Sequence, residues 1–365
     1  MFKGIEGARA WLAWSVVAAH IALYSGLSRV LPHGDLLRGP GDQAVGVFII
    51  ISGFVITNLV VTKHEPYGLY LTRRVLRIYP AYLISLAFCV VLAPLAYQTL
   101  ETYRFSESAQ VGAFAIESRE YARDFWPQFT AHLSLLHGMF PNRIMPKSEY
   151  MFMPPAWSLS LEWQFFLIAP VWIWAIIRFP LRTVAVTLLG VALYDRYLGG
   201  GFGNPSLLPG AGLYFLAGIG TRLGIERMPK LTSYPFAVLL GLASLTLHDS
   251  RLVPFVAWVA LVAYLLQARD WRALDGRLAR AAGARSYSVY ILHWPVLCAA
   301  LYLSISILKL PLWPTVGLTA AITVLGTLAA SEAVFRFVET PAINFARELG
   351  RRRTPIDVRT ETAGW

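Results

Sequence analysis

Apolar residues recur along this chain in runs of about twenty, separated by short loops in which arginine and lysine collect. Hydropathy windows of about 19 residues place candidate spans near 10–29, 42–62, 79–98, 158–177, 183–199, 207–224, 233–249, 252–267, 287–307 and 313–335. A helix of roughly twenty residues crosses the ~30 Å of a bilayer's hydrocarbon with its backbone hydrogen bonds satisfied internally. The pattern therefore predicts an all-α, polytopic integral membrane bundle of about ten transmembrane helices. The first run follows the N-terminus at once and carries no small-residue cleavage site, so it reads as a span and not a removable signal.

Basic residues set the expected orientation, because loops rich in Lys and Arg stay in the cytoplasm. With a cytoplasmic N-terminus and ten spans, 22 of the 32 basic residues fall on the cytoplasmic side. A shorter apolar piece at 128–140 (FTAHLSLLHGMF within it) would invert every later loop if it crossed, leaving the basic run 269–285 outside. It is therefore expected to be interfacial or re-entrant, inside a non-cytoplasmic loop at 99–157. An eleventh span requires that a later segment also fail to cross. The expected organisation is one membrane-embedded domain over 1–345 and a basic cytoplasmic tail over 346–365.

Composition agrees with this picture. Hydrophobic residues make up 56% of the 365 and charged residues 15%, against the ~25% charged usual in soluble domains. The net charge of +11 reads as topology, and no nucleic-acid partner is expected. Cys89 and Cys298 both lie in apolar runs and read as buried thiols; no metal site is expected.

Ionisable residues at membrane depth are expensive and therefore candidates for function. In RAWLAWSVVAAH, Arg9 and His20 are eleven residues apart; at about 100° per residue they share one helix face, about 16 Å apart along its axis. Arg9 can also be satisfied by snorkelling to the interface, and His20 by a hydrogen bond within the bundle. TRRVLRIYPAY (72–82) brings Arg73, Arg74 and Arg77 to a helix start, suited either to an anionic group such as phosphate or to anchoring a cytoplasmic end. PPAWSLSLEWQFF (154–166) carries Glu162 about one turn into its span, with Trp157 and Trp163 in positions that suit an aromatic belt. SYSVYILHWP (286–295) places His293 two turns into another helix. Ser52 and Gly53 in FIIISGF suit close helix packing. Glu332, Arg336 and Glu339 have the spacing of a charge network along one helix. No Ser or Cys is marked as a nucleophile by a neighbouring base in the sequence.

Taken in order, these motifs resemble the membrane acyltransferase 3 family: a basic residue, ten residues and a histidine; then FIIISGF, RRVLRIYPAY, WSLSLEWQFF, SYSVYILHWP and VETP (338–341). The resemblance extends over nearly the whole chain. It implies transfer of an acyl group, usually acetyl, from acyl-CoA to a hydroxyl of a carbohydrate or similar acceptor. By the same resemblance His20 is the essential histidine, Arg9 its basic partner, Arg73, Arg74 and Arg77 the arginine motif linked to acyl-CoA, and Glu162 the first acid of the fourth motif. Ser52, Trp157 and His293 are supporting candidates around them. Trp163 stands where relatives often have a second acid, Phe166 where they have tyrosine, and Ala10 where they have glycine. The C-terminal soluble domain of many relatives is not expected here.

Acetyl-CoA is thus the expected co-substrate, with no permanently bound cofactor. A carbohydrate or glycolipid acceptor is expected, in the inner (cytoplasmic) membrane of a bacterium. A transporter or flippase that uses the same buried charges without chemistry is the alternative.

Overall fold

The structure is a computed structural model describing residues 4–37, 39–63, 65–106, 108–227, 252–266 and 271–353. Among these residues there is helix and no strand. By length and composition, five helices can cross a membrane: Gly39–Lys63, Tyr67–Thr102, Pro154–Arg178, Ser286–Ile307 and Leu312–Arg351. The chain is therefore a helical membrane protein, and among the described residues fewer helices qualify than the ten spans expected from hydropathy. The reasons differ from helix to helix. The helices Gly212–Arg227 and Leu252–Leu266 border residues outside the described ones. Pro180–Leu193 ends in a π-turn over Tyr194–Leu198. The first helix, α1 (Gly4–Tyr24), is long enough, but Arg9 and His20 lower its hydropathy. The expected span 233–249 lies outside the described residues.

Around the centre stand α2 (Gly39–Lys63) and α3 (Tyr67–Thr102), followed by α4 (Trp157–Arg178), α5 (Gly212–Arg227) and α6 (Ser286–Leu301). Helix α6 is the axis of the bundle: 14 of its 16 residues are buried, and it packs on α1, α3 and the long helix α7 (Leu312–Val334).

Small residues let the backbones meet. A Cβ on Gly53 of α2 would lie 2.7 Å from the carbonyl oxygen of Phe215, and one on Gly218 of α5 only 2.1 Å from that of Ile50. The two glycines thus lock α2 against α5, which is the packing role FIIISGF suggests, and they fix the azimuth of the neighbouring Ser52. Gly26 takes a left-handed φ of 87° and ends α1 just past His20.

Two elements run further than hydropathy suggests. Helix α3 extends for 36 residues, starting twelve before the expected span at 79, so the arginine motif sits on a rigid rod and not on a loop. Helix α7 passes through a π-turn (Phe335–Glu339) into α8 (Thr340–Arg353), which packs along α3. Residues 346–353 of the expected tail are therefore helical.

Within 99–157 the segment expected as a surface loop includes a helix, Ser108–Arg123. The ambiguous apolar piece contributes a nine-residue helix, Phe125–Leu133, about 14 Å long at 1.5 Å per residue, too short to cross. It carries His132, whose ring stacks on that of His137 at 4.0 Å, both fully buried.

Candidate active site

A 36-residue helix gives its side chains a fixed angular order, and α3 uses it to sort its arginines. Tyr70, Arg74 and Arg77 recur at four and three residues and share one face. Arg74 and Arg77 line a cavity together with Arg9 of α1, Ser52 of α2, Glu162 of α4 and Ser286, Tyr287 and Tyr290 of α6. Arg73 is one residue, about 100°, round the helix and faces elsewhere. It pairs with Glu65 and lies against Gly350 of α8, where a Cβ would come within 1.9 Å of its Nη2. So the cavity gathers Arg9, Arg74 and Arg77 but not Arg73.

Each cavity arginine has its own setting. The Arg74 guanidinium lies 5.8 Å from the ring centre of Phe166 and 6.0 Å from that of Tyr70, a cation–π clamp. Arg77 faces the buried carboxylate of Glu339 at 3.5 Å, and Ser288 donates a hydrogen bond to the same carboxylate. Arg9 completes the cationic wall. Glu162 accepts a hydrogen bond from Ser52 at 2.6 Å, so the one cavity serine that faces a carboxylate acquires it from a residue 110 positions away.

His20 lines a second, adjoining cavity with Tyr24, Asp42, Tyr150, Trp157 and Asn204 among others. Its Nδ1 lies 2.8 Å from Nε2 of His293, and the two rings stack at 5.1 Å. The ring is further boxed by Tyr24 and Trp294, both edge-to-face. His293 itself is fully buried and lines neither cavity; it holds His20 from behind. Among the described residues, Val45 and Tyr290 line both cavities.

The arrangement is thus a cationic chamber and a histidine chamber that meet at a thin wall, which explains why Arg9 and His20 occupy one helix three turns apart. The acyltransferase 3 family, described as an acyltransferase domain, matches residues 2–332. The chain belongs to the acyltransferase 3 family. Two curated proteins of similar sequence carry names in keeping with it. Acyltransferase MdmB of Streptomyces mycarofaciens is 27% identical over 194 residues, which cover 52% of this chain and 43% of that protein. A protein of Komagataeibacter xylinus named as a membrane-bound transacylase, BcsY, is 26% identical over 295 residues, covering 75% of this chain and 70% of that one. The chain thus spans less than half the length of the first. No solved structure matches.

Within this member of the acyltransferase 3 family the structure also brings in residues that spacing did not select. Spacing alone groups Glu339 with Glu332 and Arg336. Glu332 does pair with Arg336, and with Arg285, but the π-turn rotates Glu339 inward, 1% exposed, to Arg77. A π-turn inserts one residue into helical register, so i,i+3 arithmetic fails across it. Asp42, Asn204, Tyr24 and Tyr290 had no signal of their own beyond being polar or aromatic near a motif.

Proposed function

We propose that this protein is an integral-membrane O-acyltransferase that moves an acetyl or other short acyl group from acyl-CoA to a hydroxyl of a carbohydrate acceptor. The observation that carries the reading is the pairing of a three-arginine chamber with an adjoining histidine chamber. Arginine guanidinium groups recognise phosphate through charge-assisted, often bidentate hydrogen bonds, so Arg9, Arg74 and Arg77 suit the phosphates of CoA. The pantetheine arm then reaches toward the wall and presents the thioester to the second chamber. There His20 acts as general base on the acceptor hydroxyl. The oxygen bonds to the thioester carbon, the C–S bond breaks, and the CoA thiolate recovers the proton. The histidine chamber combines aromatic rings (Tyr24, Tyr150, Trp157) with an amide and a carboxylate (Asn204, Asp42), a lining that suits a sugar.

For His20 to accept a proton at Nε2, its Nδ1 must carry hydrogen and donate to Nε2 of His293. His293 is then a positioning residue that fixes the tautomer, as second partners of catalytic imidazoles do. Glu162 holds Ser52 in the donor chamber. The N-terminus belongs in the cytoplasm, where acyl-CoA is made, and the enzyme in the inner membrane of a bacterium, acylating a cell-surface or exported glycan.

Two measurements test this. Purified protein supplied with acetyl-CoA should transfer the acetyl group, and His20→Ala should lower that rate at least about 100-fold while eluting as the same folded species. Mass spectrometry of glycans from a strain lacking the protein should show a lost acyl increment. Normal acylation by a well-folded His20→Ala protein would overturn the base assignment; uptake of a glycan into proteoliposomes with no acyl transfer would favour transport.

A further inference from the structure

Tyr290 belongs to SYSVYILHWP, yet the chemistry above assigns it nothing. Its place is unusual: with Val45 it lines both chambers. Its hydroxyl donates to the carbonyl of Pro155 at 2.9 Å, and Pro155 lines the histidine chamber. The same hydroxyl lies 2.8 Å from that of Ser158, which lines the arginine chamber. The ring is met edge-on by Phe48 at 5.9 Å and lies 6.2 Å from the ring of His293. A side chain so tethered, 6% exposed, is held where the two chambers meet, its hydroxyl anchored to the segment 155–158 that contributes to both linings.

We infer that Tyr290 is a positioning residue: its ring is the partition that narrows the junction of the two chambers, so that the thioester meets a bound acceptor beside His20 and not free water from the histidine chamber. The partition rests on the geometry of the cavities; its benefit to the reaction rests on the proposed acyl transfer. Without it, water would compete with the acceptor. The water oxygen bonds to the thioester carbonyl carbon, the C–S bond breaks, and the proton leaves with the thiol, giving free carboxylic acid and CoA.

The partition itself is tested without acyl-CoA. Ile49 lines the arginine chamber and is 5% exposed, and the two native cysteines are fully buried. Ile49→Cys is exposed to a small membrane-impermeant methanethiosulfonate in sealed vesicles of both orientations. With Tyr290 present, modification should occur from one face alone. Tyr290→Ala should raise the rate from the opposite face at least about tenfold, and Tyr290→Phe, which keeps the ring, should leave labelling one-sided. Val45→Ala widens the same wall and serves where Tyr290→Ala does not fold. Equal labelling from both faces with Tyr290 intact, or one-sided labelling when the wall residues are truncated, overturns the partition.

The reaction arm measures acetyl-CoA hydrolysis against transfer by the purified protein. Tyr290→Ala should raise the hydrolysis-to-transfer ratio at least about tenfold, whereas a purely structural role would lower both rates together. One-sided labelling in a protein that transfers nothing from acetyl-CoA would defeat the proposed function and leave the partition standing.

Discussion

Nδ1 of His20 and Nε2 of His293 lie 2.8 Å apart although 273 residues separate them in sequence. A hydrogen bond between two imidazoles carries one proton, so the state of one ring dictates the free nitrogen of the other. Replacing His293 by Phe removes the acceptor while keeping an aromatic ring in the buried slot; Gln keeps an acceptor oxygen. The expected outcome is a kcat lower by about tenfold or more for His293→Phe, smaller for His293→Gln, with KM for acyl-CoA within about twofold in both. Steady-state kinetics of the two variants checks it. Equal losses for Phe and Gln would mean that His293 only fills space.

Arg74 and Arg77 line the arginine chamber and Arg73 does not. Arg77→Gln and Arg74→Gln should each raise KM for acyl-CoA about tenfold, and Arg73→Gln should raise it less. Arg77→Gln also leaves the Glu339 carboxylate buried without its cation, which costs about 3–5 kcal/mol in such sites. The double variant Arg77→Gln/Glu339→Gln should recover thermal stability in detergent but not the KM. Recovery of both would assign Arg77 to folding and not to substrate.

Ser52 donates to Glu162 at 2.6 Å, the one arrangement among the described residues of the arginine chamber in which a serine faces a carboxylate. In the proposed direct attack by the acceptor this serine is dispensable. Ser52→Ala should lower kcat by about tenfold or less, and rapid-quench experiments on the wild type should show no acyl-enzyme burst. Loss of all transfer together with a burst in the wild type would make Ser52 a nucleophile.

Glu117 lies outside the five candidate spans, on the helix Ser108–Arg123, and is 4% exposed. Burial pushes its carboxyl up from 4.5 to about 8, against the pull of Lys147 and with a push from Glu149. The folded state therefore binds more protons than the unfolded state between those values. The stability this contributes is full below about 4.5 and is lost as pH rises toward about 8. Burial pushes His132, in the same region, down to about 4 from 6.5, so its own effect is confined to lower pH. Thermal unfolding of the wild type from pH 6.5 to 8 should show a loss of about 2 kcal/mol, and Glu117→Gln should flatten the curve and raise stability at pH 8. An unchanged slope in Glu117→Gln would show that the carboxyl is already ionised at neutral pH.

The sequence by itself determined the class of the molecule and the identity of most candidates. Runs of twenty apolar residues admit helices across a bilayer, and a charge in such a run is costly enough to stand out. For the same reason Arg9, His20, Arg74, Arg77, Glu162 and His293 all stand out in the sequence. The eleven-residue spacing of Arg9 and His20 was also readable, because helix periodicity is local. What tertiary structure decided is which of these meet. Helix α3 brings Arg74 and Arg77 inward and Arg73 against α8, a 100° difference that a motif of adjacent arginines cannot express. The crossing of α2 and α5 at Gly53 and Gly218 sets the face on which Ser52 finds Glu162. A π-turn, invisible to a 3.6-residue count, swings Glu339 from its neighbours to Arg77. Hydropathy measures apolarity within a window, whereas the length of an unbroken helix depends on packing, so among the described residues five helices qualify by length and composition. The partner of His20 and the two-sided place of Tyr290 depend on contacts across more than a hundred residues, and only the packed bundle brings those residues together.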